Sequence, residues 1–234
     1  MPKINVLPKE IAELIAAGEV IERPSSVIKE LLENSVDSGA KNIIAEIKNG
    51  GVTFLRVTDD GCGFFKEDIK NAFLRHATSK IATTDDLFKI GTLGFRGEAL
   101  PSICAMSRVE LITKTKDEDF GSRYEISADY QGELEEAGCP DGTTVIVRDI
   151  FYNTPARMKF LKKDVTEGNA VYSVVEKIAI SHPEVSIKFI RDGKIKLHTV
   201  GDGNLLSVIQ NIYGADFAKS LIPVDLTSGE ITVT

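Results

Sequence analysis

Between Ser25 and Thr58 the hydrophobic pattern switches from a helical period to an alternating one with little connection between, and this constrains the fold more than any other stretch. Ile28, Leu31, Leu32 and Ser35 stand at i, i+3, i+4 and i+7, the spacing of one buried helical face, with Ser25 or Ser26 expected as N-cap and Gly39 as the stop. Ile43, Ala45 and Ile47 then alternate, Gly50-Gly51 supplies a turn, and Val52–Thr58 reads as a second strand, so the helix feeds a hairpin. The remaining elements follow in mixed order. Helices are expected over 10–22, over 67–77 (Ile69, Ala72, Phe73, His76) and from near Gly97, with strands around 107–115, 121–128 and 143–149. Pro155, behind Asn153 or Thr154, suits the first position of a further helix because no donor is lost there. Val171, Val174, Val175 and Ile178 mark another helix, and Val185–Ile190 with Ile195–Thr199 flank an Asp-Gly turn. Mixed helices and hairpins predict an α+β two-layer sandwich rather than a doubly wound sheet.

A length of 234 residues exceeds the ~100–200 typical of one domain, leaving one large domain or one domain and part of another. Gly201-Asp202-Gly203 is the best linker, so the division expected is 1–202 and 203–234, the second part opening with a helix through Leu205, Leu206, Ile209 and Ile212. The chain stops inside a strand-like run, Glu230–Thr234, which suggests a longer protein cut short. No run approaches the ~20 apolar residues of a membrane span, and the start lacks a secretory pattern. Cys62, Cys104 and Cys139 are odd in number and far apart, which fits reduced thiols in a cytosolic (or nuclear) protein better than disulfides or zinc. The net charge, 28 − 35 = −7, argues against a chain that coats nucleic acid along its whole surface. Arg157, Lys159, Lys162 and Lys163 form a local basic cluster, read first as a solvated helix face and second as a DNA contact.

Three stretches could carry chemistry. On the Val27–Asp37 helix, Glu30, Asn34 and Asp37 stack at i, i+4, i+7 beside the apolar face, with Glu33 at the stripe's edge. Asn is a poor mid-helix residue, and none of the three acids has a basic residue four positions on within the helix, so a magnesium ion could supply the missing charge. Asp59-Asp60-Gly61-Cys62-Gly63 follows a strand: a carboxylate fixed there can accept from a base amino group while glycines admit a ligand to the backbone, although a plain turn also explains them. Gly91, Gly94 and Gly97 lead a long polar connection into a helix, where backbone N–H groups can converge on an anion. Gly142-Thr143 opens a later strand.

In this order, Glu-x-x-x-Asn on a helix, Asp-x-Gly-x-Gly after a strand, a glycine lid and Gly-Thr on a strand resemble the ATP-binding fold of gyrase B, the large heat-shock chaperone, histidine kinases and MutL. Longer blocks resemble the MutL mismatch-repair family specifically: Ile15–Pro24, Lys29–Ser35, Arg75–Lys80, Gly94–Leu100 and Phe151–Arg157. Ser35–Gly39 departs slightly from the family's usual Ser-Leu-Asp-Ala-Gly, and Asp60 stands where Asn is common. None of His76, His182 and His198 lies in a phosphoacceptor motif, which disfavours a histidine kinase.

The resemblance implies Mg-dependent binding and slow hydrolysis of ATP, as a conformational and dimerisation switch in DNA mismatch repair. By it, Glu30 is the general base, Asn34 the Mg²⁺ ligand, and Asp59 the acceptor for the adenine amino group, with Gly61, Gly63 and Thr143 completing that pocket. Gly94, Phe95, Arg96, Gly97, Glu98, Ala99 and Leu100 would wrap the phosphates, with Thr78, Ser79 and Lys80 nearby. A further phosphate-contacting lysine is expected from a second domain, so turnover by this chain would be weak, and a nucleotide-binding interaction module with negligible turnover is the alternative. The implied partners are a second copy or a paralogue on ATP binding, a MutS-type mismatch-recognition protein, and DNA through the full-length protein, with no membrane. Ile4, Val6, Leu7, Ile11 and Ile15 fit either a swapped dimer arm or ordinary core.

Overall fold

The computed structural model describes residues 5–81, 83, 91–94, 96–222, 224, 226–228 and 231–233. Helix α1 (Lys9–Val20) precedes α2 (Pro24–Asp37). Proline takes the first helical position of α2 with Arg23 as N-cap, so Ser25 and Ser26 lie inside the helix rather than capping it; a fixed φ and a missing donor suit proline to that place. The hairpin follows as β1 (Asn42–Lys48) and β2 (Phe54–Asp59), antiparallel, joined through a 3₁₀ turn at Asn49–Gly51.

The expected helix over 67–77 is not formed. A 3₁₀ turn at Asn71–Phe73 is enough to bury Ile69 and Phe73, and the chain then leaves the helical path, with the His76 N–H donating to Gly97 O instead of to a preceding carbonyl. Helix α3 (Ala99–Cys104) leads to β3 (Arg108–Lys114), β4 (Gly121–Ile126), β5 (Glu135–Ala137) and β6 (Gly142–Arg148). Strand β5, Glu-Glu-Ala, carries no hydrophobic alternation and was invisible in the pattern; it is a short, charged edge of the kind that discourages pairing with another sheet. Helices α4 (Pro155–Phe160) and α5 (Asp164–Ser181), the hairpin β7 (Ser186–Arg191) and β8 (Lys194–His198), helices α6 (Leu205–Tyr213) and α7 (Ala215–Ser220), and the small pair β9 (Leu226–Ser228) and β10 (Ile231–Val233) complete the described chain.

One eight-stranded sheet runs β5-β4-β3-β6-β2-β1-β7-β8, antiparallel throughout except where β7 returns beside β1 in parallel. Ile43, Ala45 and Ile47 of β1, Leu55 and Val57 of β2, Leu111 of β3, Val145 and Val147 of β6 and Ile187 and Phe189 of β7 all face the layer of helices, where they meet Ile28, Leu31 and Leu32 of α2 and Val171 and Val175 of α5. This is the expected two-layer sandwich. Ion pairs cross the other face: Glu110 accepts from Arg123 Nε at 2.6 Å and from Arg148 Nη1 at 2.8 Å, and Glu46 pairs with Arg56 at 2.6 Å. Val208 of α6 is buried in the main core. Val6, Leu7, Ile11 and Ile15 are all exposed, so these four are not core; Ile4 lies outside the described residues.

Candidate functional site

Helix α2 is the spine of the site. Its last residue, Asp37, is nearly inaccessible (side chain 6% exposed), and both of its oxygens are occupied. Oδ2 accepts from Lys80 Nζ at 2.5 Å and from the Gly94 N–H at 3.1 Å, while Oδ1 accepts from the Leu93 N–H at 3.0 Å. Lys80 Nζ also donates to Asn34 Oδ1 at 3.3 Å, one turn back on the same helix face. Lys80 itself is set by a local turn in which its N–H reaches Thr78 Oγ1 at 3.2 Å; Ser79 between them is exposed. The α-carbon of Gly94 faces Asn34 Oδ1 and Lys80 Nζ, each 3.7 Å from where a Cβ would stand. Asn34, Asp37, Thr78, Lys80 and Gly94 are thus brought together. Burial works to raise the Asp37 carboxyl, but Lys80 and the two amides hold it below its ordinary value.

The next residue of α2 joins a second cluster. Ser35 Oγ donates to Asp59 Oδ2 at 2.8 Å, and the Gly61 N–H donates to Oδ1 at 3.0 Å. Asp59 ends β2 directly opposite Thr143 of β6, and Thr143 in turn faces Thr113 of β3, with 3.1 Å between their hydroxyls. Thr113 Oγ1 accepts from the Phe64 N–H at 3.0 Å and donates to Gly142 O at 2.9 Å, which ties the loop after Asp59 to the strand ends. Gly142 has φ +112°, and a Cβ there would overlap Asp59 O, so a side chain is excluded beside the carboxylate. Burial raises the Asp59 carboxyl above its ordinary value, against the opposing hydrogen bonds from Ser35, Gly61 and Thr143.

Glu30 lies one turn before Asn34, half-buried, with Lys29 Nζ 3.4 Å from its Oε1. Lys29 also pairs with Glu33 at 2.8 Å, so the acidic stripe already has protein cations: Lys29 for Glu30 and Glu33, Lys80 for Asp37. The charge argument for a metal is weakened accordingly, and what remains is the Asn34 oxygen with a cation beside it.

Gly97 and Glu98 stand at a different place. Gly97 has φ +61°, and a Cβ there would overlap the Ala77 carbonyl. Glu98 lies 2.8 Å from His76 Nδ1 and 3.7 Å from Arg75, whose Nη2 donates to Glu13 O of α1 at 2.7 Å. Leu100 belongs to the core, which leaves only its backbone for a ligand. Arg96 is exposed and Ala99 opens α3, whereas Phe95 lies outside the described residues. Cys62 is exposed and Gly63 packs against the Lys114 carbonyl. Ser35 and Thr113 were missed as site residues; a serine on an apolar helix face and a threonine ending an apolar strand were the available signals.

Two open cavities, of about 390 and 360 Å³, lie elsewhere, one among Lys70, Phe73 and Tyr130 and the other among Asn49, Thr53 and Leu161. The basic cluster is also not one surface: Arg157 Nη1 donates to Gly18 O at 2.6 Å and lies 3.4 Å from Ile21 O, against the end of α1.

Residues 21–136 match the family described as histidine kinase-, DNA gyrase B- and HSP90-like ATPase. The DNA mismatch repair protein MutL of Agathobacter rectalis is 53% identical over 96% of this chain, and that of Clostridium botulinum 46% over all of it. The chain spans about a third (35%) of the length of each. Among solved structures, the Aquifex aeolicus MutL ATPase domain complexed with ADP superposes with a TM-score of 0.70 at 31% identity, over 83% of this chain and 70% of that one. The N-terminal domain of a DNA repair protein gives 0.77 at 27%, over 92% and 64%. No described helix is long and apolar enough to cross a membrane.

Proposed function

The chain belongs to the family of MutL ATPase domains, and on that premise we propose that it binds Mg·ATP and hydrolyses it slowly, as a conformational and dimerisation switch in DNA mismatch repair. The observation that carries this reading is the adjacency of Asn34 and Ser35: one faces the anion-binding donors of Lys80 and Gly94, the other the carboxylate of Asp59. Consecutive residues of α2 therefore address the phosphate end and the adenine end of one nucleotide.

Asp59 accepts from the adenine amino group, with Gly61, Gly63 and Thr143 shaping the pocket around it. The N–H groups of Gly94–Leu100, together with Thr78, Ser79 and Lys80, receive the phosphates. Glu30 takes the proton from the water that attacks the γ-phosphate, and the gain from such a base is ~10²–10⁴-fold. Asn34 would hold the metal through its Oδ1. A Mg²⁺ bound chiefly by phosphates needs few protein oxygens, and the described residues include no cluster of three His, Cys, Asp or Glu that would form a cage of its own. When bound, the ion neutralises charge on the phosphates.

The ATP unit occupies 1–202 and a second unit begins at 203, its first helix docked on the first unit through Val208. The exposed Val6, Leu7, Ile11 and Ile15 suit an arm that reaches a second copy or a paralogue. A MutS-type protein and DNA are partners of the longer protein, in the cytoplasm of a bacterium. Titration with a fluorescent ATP analogue, run beside phosphate release and sizing with a non-hydrolysable analogue, tests the whole reading. Binding, slow release and a doubled mass are expected. No binding refutes it; binding without release leaves the interaction module, and an unchanged monomer removes the switch.

A further inference from the structure

An aspartate at the last position of a helix opposes the helix dipole, and α2 carries no basic residue in its last turn to compensate. Asp37 is nevertheless buried there, and its compensation comes from the donors gathered on it: the Lys80 ammonium and the Leu93 and Gly94 N–H groups. An ammonium and two adjacent backbone N–H groups are the donor set that phosphates attract. One carboxylate thus fastens Lys80 and Leu93-Gly94, about a dozen residues apart in sequence, to α2. The only other described partner of Lys80 Nζ is Asn34 Oδ1. Where a local rule is broken this consistently, a functional constraint is the expected reason.

We propose that Asp37 is the resident anion of this site: it holds the phosphate-binding donors Lys80, Leu93 and Gly94 until an incoming polyphosphate takes them by exchange. The identity of the incoming ligand rests on the nucleotide reading above, whereas the hold on the donors does not. The consequence is a competition. A ligand shifts such an equilibrium only by its differential affinity for the two arrangements, and part of the polyphosphate's binding is therefore used to displace the carboxylate. Asp37 sets how firmly Lys80, Leu93 and Gly94 are held without nucleotide and how tightly polyphosphate binds, in opposite senses.

The test uses Asp37→Asn, inorganic tripolyphosphate as ligand, and EDTA to exclude metal. Deuterium exchange at the amides of 93 and 94 in the ligand-free protein is expected to speed up about tenfold, the lower range of a charge-assisted hydrogen bond, while tripolyphosphate binds more tightly by about the same factor. Faster exchange with weaker binding would make Asp37 a positioning residue only and overturns the exchange. Unchanged exchange overturns the hold, even if affinity rises through the deleted charge alone. Should Asp37→Asn not fold, carbodiimide labelling of carboxylates in the unaltered protein decides: Asp37 is protected in the empty protein and labelled at saturating tripolyphosphate, and equal labelling in the two states refutes the proposal. Because all of these are read without ATP, they stand or fall separately from hydrolysis.

Discussion

Ser35 Oγ donates to Asp59 Oδ2 across 2.8 Å, joining the last turn of α2 to the end of β2. Ser35 is buried, so its hydroxyl has little alternative to that carboxylate. Ser35→Ala removes a donor from a carboxyl that burial already pushes up, and hydrogen bonds to charged groups are worth about 1.5–3 kcal/mol. ADP affinity measured by calorimetry should fall about tenfold, and more steeply as pH is lowered, because Asp59 then protonates sooner. Equal affinity in variant and parent would detach Ser35 from the nucleotide site.

Glu30→Ala separates binding from chemistry. The Glu30 side chain makes no described hydrogen bond to Asn34, Asp37 or Lys80, and its one described side-chain partner is the exposed Lys29, so nucleotide affinity should change little. Single-turnover phosphate release should drop ~10²–10⁴-fold. Parental turnover in Glu30→Ala would assign the base elsewhere.

Gly97→Ala should cost stability at the turn that packs on Ala77, separately from the phosphate contact proposed for its N–H. The substitution meets the Ala77 carbonyl with φ already at +61°, and backbone strain of this kind costs about 1–3 kcal/mol. Denaturant unfolding should report that loss in nucleotide-free protein. A full-strength fold with weakened ADP binding would show that the turn absorbs the methyl group and that only the phosphate contact suffers.

How much of this was legible in the sequence follows from the range of each contact. Helix α2, the hairpin and the position of Asp59 were legible because period, glycine and proline act within a few residues. The separation of Lys80 from Asp37 is 43 residues and that of Thr143 from Asp59 is set by β6 pairing with β2, and no local spacing encodes either. The same holds for the parallel pairing of β7 with β1. The 67–77 helix failed for the opposite reason: Ile69 and Phe73 do have helical spacing, but the bond from His76 to Gly97 overrides it. The resemblance to a family bridged those gaps for Asn34, Lys80 and Thr143, and offered nothing for Asp37 as the holder of Leu93 and Gly94.

Glu110 should make stability fall in acid. Burial works to raise this carboxyl, but Arg123 and Arg148 on the flanking strands together hold it below its ordinary value. A folded-state value below the unfolded one contributes stability that is fully present above about pH 4.3, the ordinary glutamate value, and is lost as pH falls through the lowered one. Glu110→Gln should therefore be less stable than the parent at pH 7, by about 2 kcal/mol for the charge-assisted bonds removed, and the gap should close in strong acid. A gap independent of pH would mean packing, not charge, is at stake.

Arg157 and Gly18 give a test in which one substitution changes sign. The guanidinium of Arg157 lies on Gly18 O and Ile21 O, the carbonyls at the end of α1 that lack helical partners, where a cation is favoured by up to ~2 kcal/mol. A Cβ on Gly18 would occupy the space of that guanidinium. The obstacle is the far end of a flexible side chain, so Gly18→Ala can be accommodated by ejecting Arg157 from its place. Alanine in a helix is otherwise better than glycine by about 1 kcal/mol. In the parent, then, Gly18→Ala should lower the protection of α1 amides against hydrogen exchange, because the lost cap outweighs the gain in helix propensity. In an Arg157→Ala background the cap is already gone, and the same substitution should raise protection by about 1 kcal/mol. The coupling between the two sites, read from the four proteins of the cycle, is the worth of the cap itself. Equal effects of Gly18→Ala in both backgrounds would show that Arg157 does not hold α1.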